Sequence, residues 1–149
     1  MSTNRIHSKG EYTQEEYVAG EAGIYPGMLC KLHADGKVYR HTPANGRCEK
    51  MFAQEDALQG KTVNDVYAIG SIVTVILPHL GCEVWGLLLD AQDVHIGDWL
   101  VSHGDGCLVE ETFDSGEVDI FTVGVVMEAL DLSGSADDNG LVRLRCACH

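Results

Sequence analysis

The sharpest chemical cluster in this sequence is Cys146-Ala147-Cys148-His149, two thiols two positions apart followed by an imidazole. Thiolates so spaced can grip zinc, but structural zinc usually takes four ligands with wider loops between cysteine pairs. No second cysteine pair exists, and only the scattered His79, Cys82 or Cys107 could complete a site. A frayed terminal strand is expected there, with no metal. Ser102, His103 and Asp105 supply the letters of a hydrolase triad. Neighbours on a strand point to opposite faces, however, and triad members converge from separated segments. Gly104-Asp105-Gly106 reads first as a turn, so no catalytic residue is assigned. Gly60-Lys61-Thr62 has the ending of a phosphate loop without its earlier glycine or its strand-then-helix setting. Asp137-Asp138 reads as solvated loop charge, and His79, His95 and His103 show no ligand spacing. Trp85 and Trp99 lie in apolar segments, where core packing is expected before sugar stacking. None of these groups implies a cofactor.

The elements that would position such groups are short and separated by turns. The 149 residues fit one domain, and 45% apolar content supports a packed core. Met28, Cys30 and Leu32 alternate with Leu29, Lys31 and His33, the period of a half-buried strand. Asp35-Gly36 then signals a hairpin into Lys37–Arg40. Asn45-Gly46 marks another turn, and Glu49–Gln59 reads as a short helix or irregular loop. Ile72–Leu77 is apolar on both faces, as in a central buried strand. Val84–Leu89 is a second such segment, with Gly86 as a candidate bulge. Gly97-Asp98 and Gly104-Asp105-Gly106 turn the chain around Trp99–Ser102. Val118–Met127 is long and apolar, with Gly124 as a bend, and Ser133–Gly140 reads as a polar loop. In the last strand Val142, Leu144 and Cys146 face one way, Arg143 and Arg145 the other.

Short strands at intervals of about ten residues, with 17 glycines, predict an all-β fold, a compact barrel or sandwich. No internal repeat of fixed period is visible; Gly70 and Gly97 give only a hint of pseudo-symmetry. Residues 1–19 are polar, and EYTQEEY has no clean strand or helix period. They are expected to form an N-terminal arm, mobile or ordered by a partner, whose deletion leaves residues 20–149 folded.

A formal charge of −13, from 10 basic and 23 acidic residues, argues against broad binding to nucleic acid or anionic membranes. No run approaches the roughly 20 apolar residues of a membrane span, and MSTNRIHSKG lacks a signal-peptide core. Folding in a host cytoplasm is expected. There the six cysteines, Cys30, Cys48, Cys82, Cys107, Cys146 and Cys148, are expected as reduced, buried thiols.

Four stretches fall in an order shared with a known family: Gly20–Leu32, Asp35–Gly46, Phe52–Val75 and His95–Leu108. In Phe52–Val75 a Gly-Lys-Thr turn, a lone Tyr67 and a Gly70-led apolar strand follow one another. Over roughly four fifths of its length, from about Val18, the chain resembles the capsid decoration (cement) proteins of tailed bacteriophages. The resemblance implies a β-barrel, β-tulip-like or sandwich domain on the outer capsid surface. It also implies homotrimers at three-fold and quasi-three-fold positions, bound to the major capsid protein, that stabilise the head against DNA pressure without catalysis. The arm would carry the capsid contacts, with Ser2, Asn4, Arg5, His7, Lys9, Glu11, Tyr12, Glu15 and Tyr17 as candidates. A small β-barrel that binds glycans or host surfaces, resting on the tryptophans and tyrosines, is the alternative.

Overall fold

The computed structural model describes residues 5–42, 50–111, 122–132 and 142–148. Asn45-Gly46, Cys48, Asp137-Asp138 and His149 lie outside the described residues, as do the candidates Ser2 and Asn4. Within them the fold is all-β, and the helical structure is one 3-10 turn, Ala57–Gln59. Strands β1 (His7–Lys9), β2 (Tyr12–Val18), β3 (Leu29–Leu32), β4 (Val38–Arg40), β5 (Met51–Ala53) and β6 (Ile72–Pro78) come first. Then follow β7 (Glu83–Leu87), β8 (Asp93–Val94), β9 (Trp99–Ser102), β10 (Leu108–Glu110), β11 (Gly124–Val126), β12 (Leu130–Asp131) and β13 (Arg143–Cys148). They form a five-stranded sheet, β2-β6-β5-β3-β4, a six-stranded sheet, β1-β7-β13-β11-β9-β10, and a small β8–β12 pair.

The two large sheets are copies of one pattern. β2, β6, β5, β3 and β4 pair in the same order as β7, β13, β11, β9 and β10. In the first hairpin Leu32 opposes Val38; seventy positions on, Ser102 opposes Leu108. Asp35 Oδ1 accepts from Lys37 N–H at 2.9 Å, and Asp105 Oδ1 accepts from Cys107 N–H at 3.0 Å. Gly27 N–H donates to Ala53 O, and Gly97 N–H to Val126 O. Both of these glycines sit at positive φ, 94° and 95°, which an L side chain resists. Even the Ile24–Tyr67 bridge has its counterpart in the β8–β12 pair. The expectation of no internal repeat is thus corrected: residues 12–78 and 83–148 form two halves of one design.

Each half curls until its ends meet in a single parallel bridge, Ala19 with Val38 and Leu88 with Leu108. One bridge does not close a sheet, so the barrel expectation is corrected to two open, curled sheets. Leu29, Phe52 and Ile76 of the first half share a core with Val84, Leu100, Leu108, Leu144 and Cys146 of the second. A separate cluster fills the first half, around Ile24, Met51, Val73 and Val75. Gly86 is no bulge, since pairing runs unbroken from Leu87–Arg143 to Glu83–Ala147. A Cβ there would sit 2.6 Å from Leu108 Cδ1 of the same half, so glycine leaves the room that Leu108 fills in the shared core.

Two other expectations change. Residues 7–9 and 12–18 of the expected arm are strands β1 and β2, the latter paired with β6 over seven residues. A short strand, β5, lies where a helix or loop was expected. Arg143 does not face water: it is 7% exposed, and its guanidinium bridges the halves. Nε donates to Pro26 O at 2.9 Å, Nη1 to Asn64 Oδ1 at 3.0 Å, and Nη2 to Val63 O. Replacing it by methionine keeps bulk but strands these acceptors. Arg143→Met is expected to cost about 2–4 kcal/mol, read as a fall of roughly 5–15 °C in melting temperature by circular dichroism. A melt unchanged within about 2 °C would remove the guanidinium from the seam.

Candidate functional site

The described N-terminal candidates do not share one role. Tyr12 packs against the shared core and Tyr17 against the cluster of the first half. His7 lies against Tyr12, ring centroids 4.4 Å apart, and its Nε2 is 2.9 Å from Gly10 O. Lys9 extends into solvent, but its ammonium reaches the buried carboxylate of Glu83 at 3.2 Å, which pins β1 to β7. Glu11 is exposed beside His79 at 3.8 Å. Arg5 and Glu15 are exposed as well. The outward chemistry of this region is therefore chiefly acidic: Glu11 precedes β2, and Glu15 and Glu16 lie exposed on its opposite faces.

The triad letters separate in space. Ser102 is buried, and its hydroxyl lies 2.7 Å from Nδ1 of His41, a residue from the other half. His103 and Asp105 pair with each other at 3.2 Å on the surface. Burial works to raise the Asp105 carboxyl pKa, but the Cys107 N–H and His103 outweigh it and hold it below the usual range. Cys146 and Cys148 both point into the shared core. Cys30, Cys82, Cys107, Cys146 and Cys148 are all buried and unbridged. Burial pushes the thiols of Cys30, Cys107 and Cys146 up to about 12, far from a reactive thiolate. Among the described residues no group of three or more His, Cys, Asp or Glu side chains is placed to hold a metal ion. Trp85 and Trp99 are half-buried and outside the buried core, against the expectation of core packing.

A cleft of about 160 Å³ runs between the two equivalent hairpins, lined by Glu21, His33, Tyr39, Arg40, Thr42, Gly104 and Asp105. His33 stacks on Tyr39 with centroids 3.9 Å apart and planes 16° from parallel. The Tyr39 hydroxyl donates to Asp35 at 2.8 Å. Arg40 donates to Glu21 Oε1 through both its backbone N–H and Nε, each at 2.9 Å. Burial raises the Glu21 pKa, but these two bonds outweigh it and leave the carboxyl ionised below its ordinary range.

Against known proteins, the fold has a counterpart. The head fibre gp8.5 N base of bacteriophage phi29, solved by crystallography, superposes with a TM-score of 0.56. The match covers 93% of this chain and 95% of that one, at 12% sequence identity. At that identity the likeness is one of fold. No family model matches the sequence. A stretch of 47 residues, 32% of the chain, is 40% identical to part of a leucine–tRNA ligase from Gloeobacter violaceus. It spans 5% of that enzyme's length, too little to show a shared family or activity. Among the described residues, no helix is long and apolar enough to cross a membrane.

Sequence reasoning missed Arg143, His41 and Glu16. The first two act across the seam between halves, and only recognising the repeat would have marked them. The signal was present in Leu32-His33-Ala34-Asp35-Gly36 and Ser102-His103-Gly104-Asp105-Gly106, a shared His-x-Asp-Gly seventy positions apart.

Proposed function

We propose that this protein is a structural component of a phage virion, a non-catalytic clamp on the outer face of the head. In this reading it binds as a homotrimer at junctions between major capsid protein subunits and stabilises the head against DNA pressure. The observation that carries the proposal is the likeness to a head fibre base along nearly the whole of both chains. The order of the sequence motifs supports it, and so does the acidic surface, which suits a basic or mixed lattice and not nucleic acid. Many modest interfaces repeated over a lattice add up through multivalency.

The test is addition of purified protein to heads that lack it. Decorated heads should retain DNA to higher temperature and lower salt than bare heads, because dilute salt lengthens the screening distance between packaged strands. Equal DNA loss from decorated and bare heads would end the stabilising role. The competing reading, glycan or host-surface binding on the virion, has one observation in its favour: the stacked His33–Tyr39 pair beside the polar cleft. A Tyr39→Ala protein that still protects heads but loses retention on a glycan array would favour that reading.

A further inference from the structure

The internal repeat exposes a difference between the two halves at one sheet edge. In the second half the outer edge of β7 is occupied: Trp85 N–H donates to Ile6 O at 2.7 Å and Leu87 N–H to Gly27 O at 2.8 Å. The equivalent edge of the first half is that of β2. Its odd-numbered residues face β6, since Glu11 O accepts from His79 N–H and Ala19 N–H donates to Ser71 O. The N–H groups of Gln14, Glu16 and Val18 therefore point away from the sheet. Glu16 and Val18 stand where Trp85 and Leu87 stand in the other half. None of the three has a partner among the described residues, and Thr13 through Glu16 are exposed.

We infer that the free edge of β2 is a strand-addition site for an extended, lysine- or arginine-bearing segment of a different protein. An unpaired edge is a template for another strand, with affinity from main-chain hydrogen bonds and selectivity from alternating side chains. The selectivity here is for cations. Glu11, Glu15 and Glu16 are exposed along the strand, and neither Glu15 nor Glu16 has a cation within 4 Å among the described residues. A second copy of this chain fits poorly. Overlapping β2 with itself along its whole length sets Glu15 against Glu15, and like charges directly opposite are destabilising. Two copies also each carry a formal charge of −13. That the natural partner belongs to the capsid lattice rests on the function proposed above; the edge itself does not.

The experiment uses the full-length chain and an acetylated, amidated heptapeptide alternating lysine with valine. Amide exchange by NMR should show the Gln14, Glu16 and Val18 amides slowing roughly tenfold or more at saturating peptide. A peptide N-methylated on alternate amides, with its charge kept, should bind far more weakly. The lysines of an alternating peptide share one face. Whichever of Glu15→Gln and Glu16→Gln removes the carboxylate on that face should therefore weaken binding by roughly two- to fivefold, and the other far less. Glu16→Pro should abolish edge pairing while leaving the β6 ladder whole, because its lost N–H points outward. Equal binding of the N-methylated peptide, or of a glutamate–valine peptide, would overturn the inference. So would protection of the same amides that rises with protein concentration alone, which would assign the edge to a second copy. Failure here with intact binding to heads removes the edge and keeps the virion role; the converse result removes the role and keeps the edge.

Discussion

A protein lacking residues 1–18 should show no cooperative thermal transition and a collapsed amide spectrum. The deletion removes β1 and β2, and with β2 the whole seven-residue ladder along β6. The side chain of Ile6 is fully buried in the shared core, and Tyr12 and Tyr17 pack against the two main clusters. Each such apolar side chain is worth about 1.5–3 kcal/mol when fully buried. The polar accounts move the same way. Ile6 N–H donates to the buried Glu55 at 3.0 Å, and Glu83 would keep its carboxylate in the core after losing Lys9. Together these losses match or exceed the roughly 5–15 kcal/mol that holds a domain of this kind folded. This reverses the sequence-based expectation that the arm can be deleted with residues 20–149 left folded. A truncated protein that melts cooperatively within a few degrees of the full chain would restore the arm.

The second large effect contrasts two residues on one strand. Ile76→Asp should unfold the protein, whereas Ile72→Asp should shift the urea midpoint only slightly. Ile76 is 0% exposed and sits in the core shared by the halves, paired across to Phe52 and Gln14. A carboxylate there has no partner, and burying an unpaired charge ranks among the few mechanisms that cost more than about 4–5 kcal/mol. Ile72 is 50% exposed at the start of β6, where aspartate stays hydrated and loses only strand propensity, about 1 kcal/mol at most. Comparable unfolding by both variants would contradict the burial pattern of β6.

What could be read from the sequence was the turns more than the two-residue period. The hairpins at Asp35-Gly36 and Gly104-Gly106 were legible from their turn residues. The expected alternation of β3 was not observed, since Leu29 and Cys30 are both buried and Lys31 and Leu32 both exposed. In β13, Arg143 is buried along with Leu144. β2 was not legible. Its middle residues, Thr13 to Glu16, are exposed on both faces at a sheet edge, so TQEE shows no apolar alternation. Ile72–Leu77 looked buried on both sides because its composition is apolar throughout, yet only part of the strand is covered. The repeat escaped notice because the two halves share backbone pattern more than side chains: Gly27 and Gly97, His33 and His103, Asp35 and Asp105, Gly36 and Gly106 coincide, while the core residues around them differ. Of the candidate contact residues, Glu11 and Glu15 are exposed, whereas Tyr12 and Tyr17 pack against the interior.

The tandem order of the halves has a consequence for how the chain is made. The five strands of the first sheet are complete by Pro78, and every strand of the second except β1, which is made first of all, follows them. At roughly 5–20 residues per second, β13 follows about 4–14 s later. Through that interval the nascent chain can complete its first ladder, but Leu29, Phe52 and Ile76 have no second half to cover them. β1 likewise waits for β7, leaving Ile6 and the edge chemistry of Lys9 unemployed. The finished molecule hides this apolar face completely. Its exposure to aggregation is therefore concentrated in synthesis, when half of the core has been built and the other half has not yet been translated.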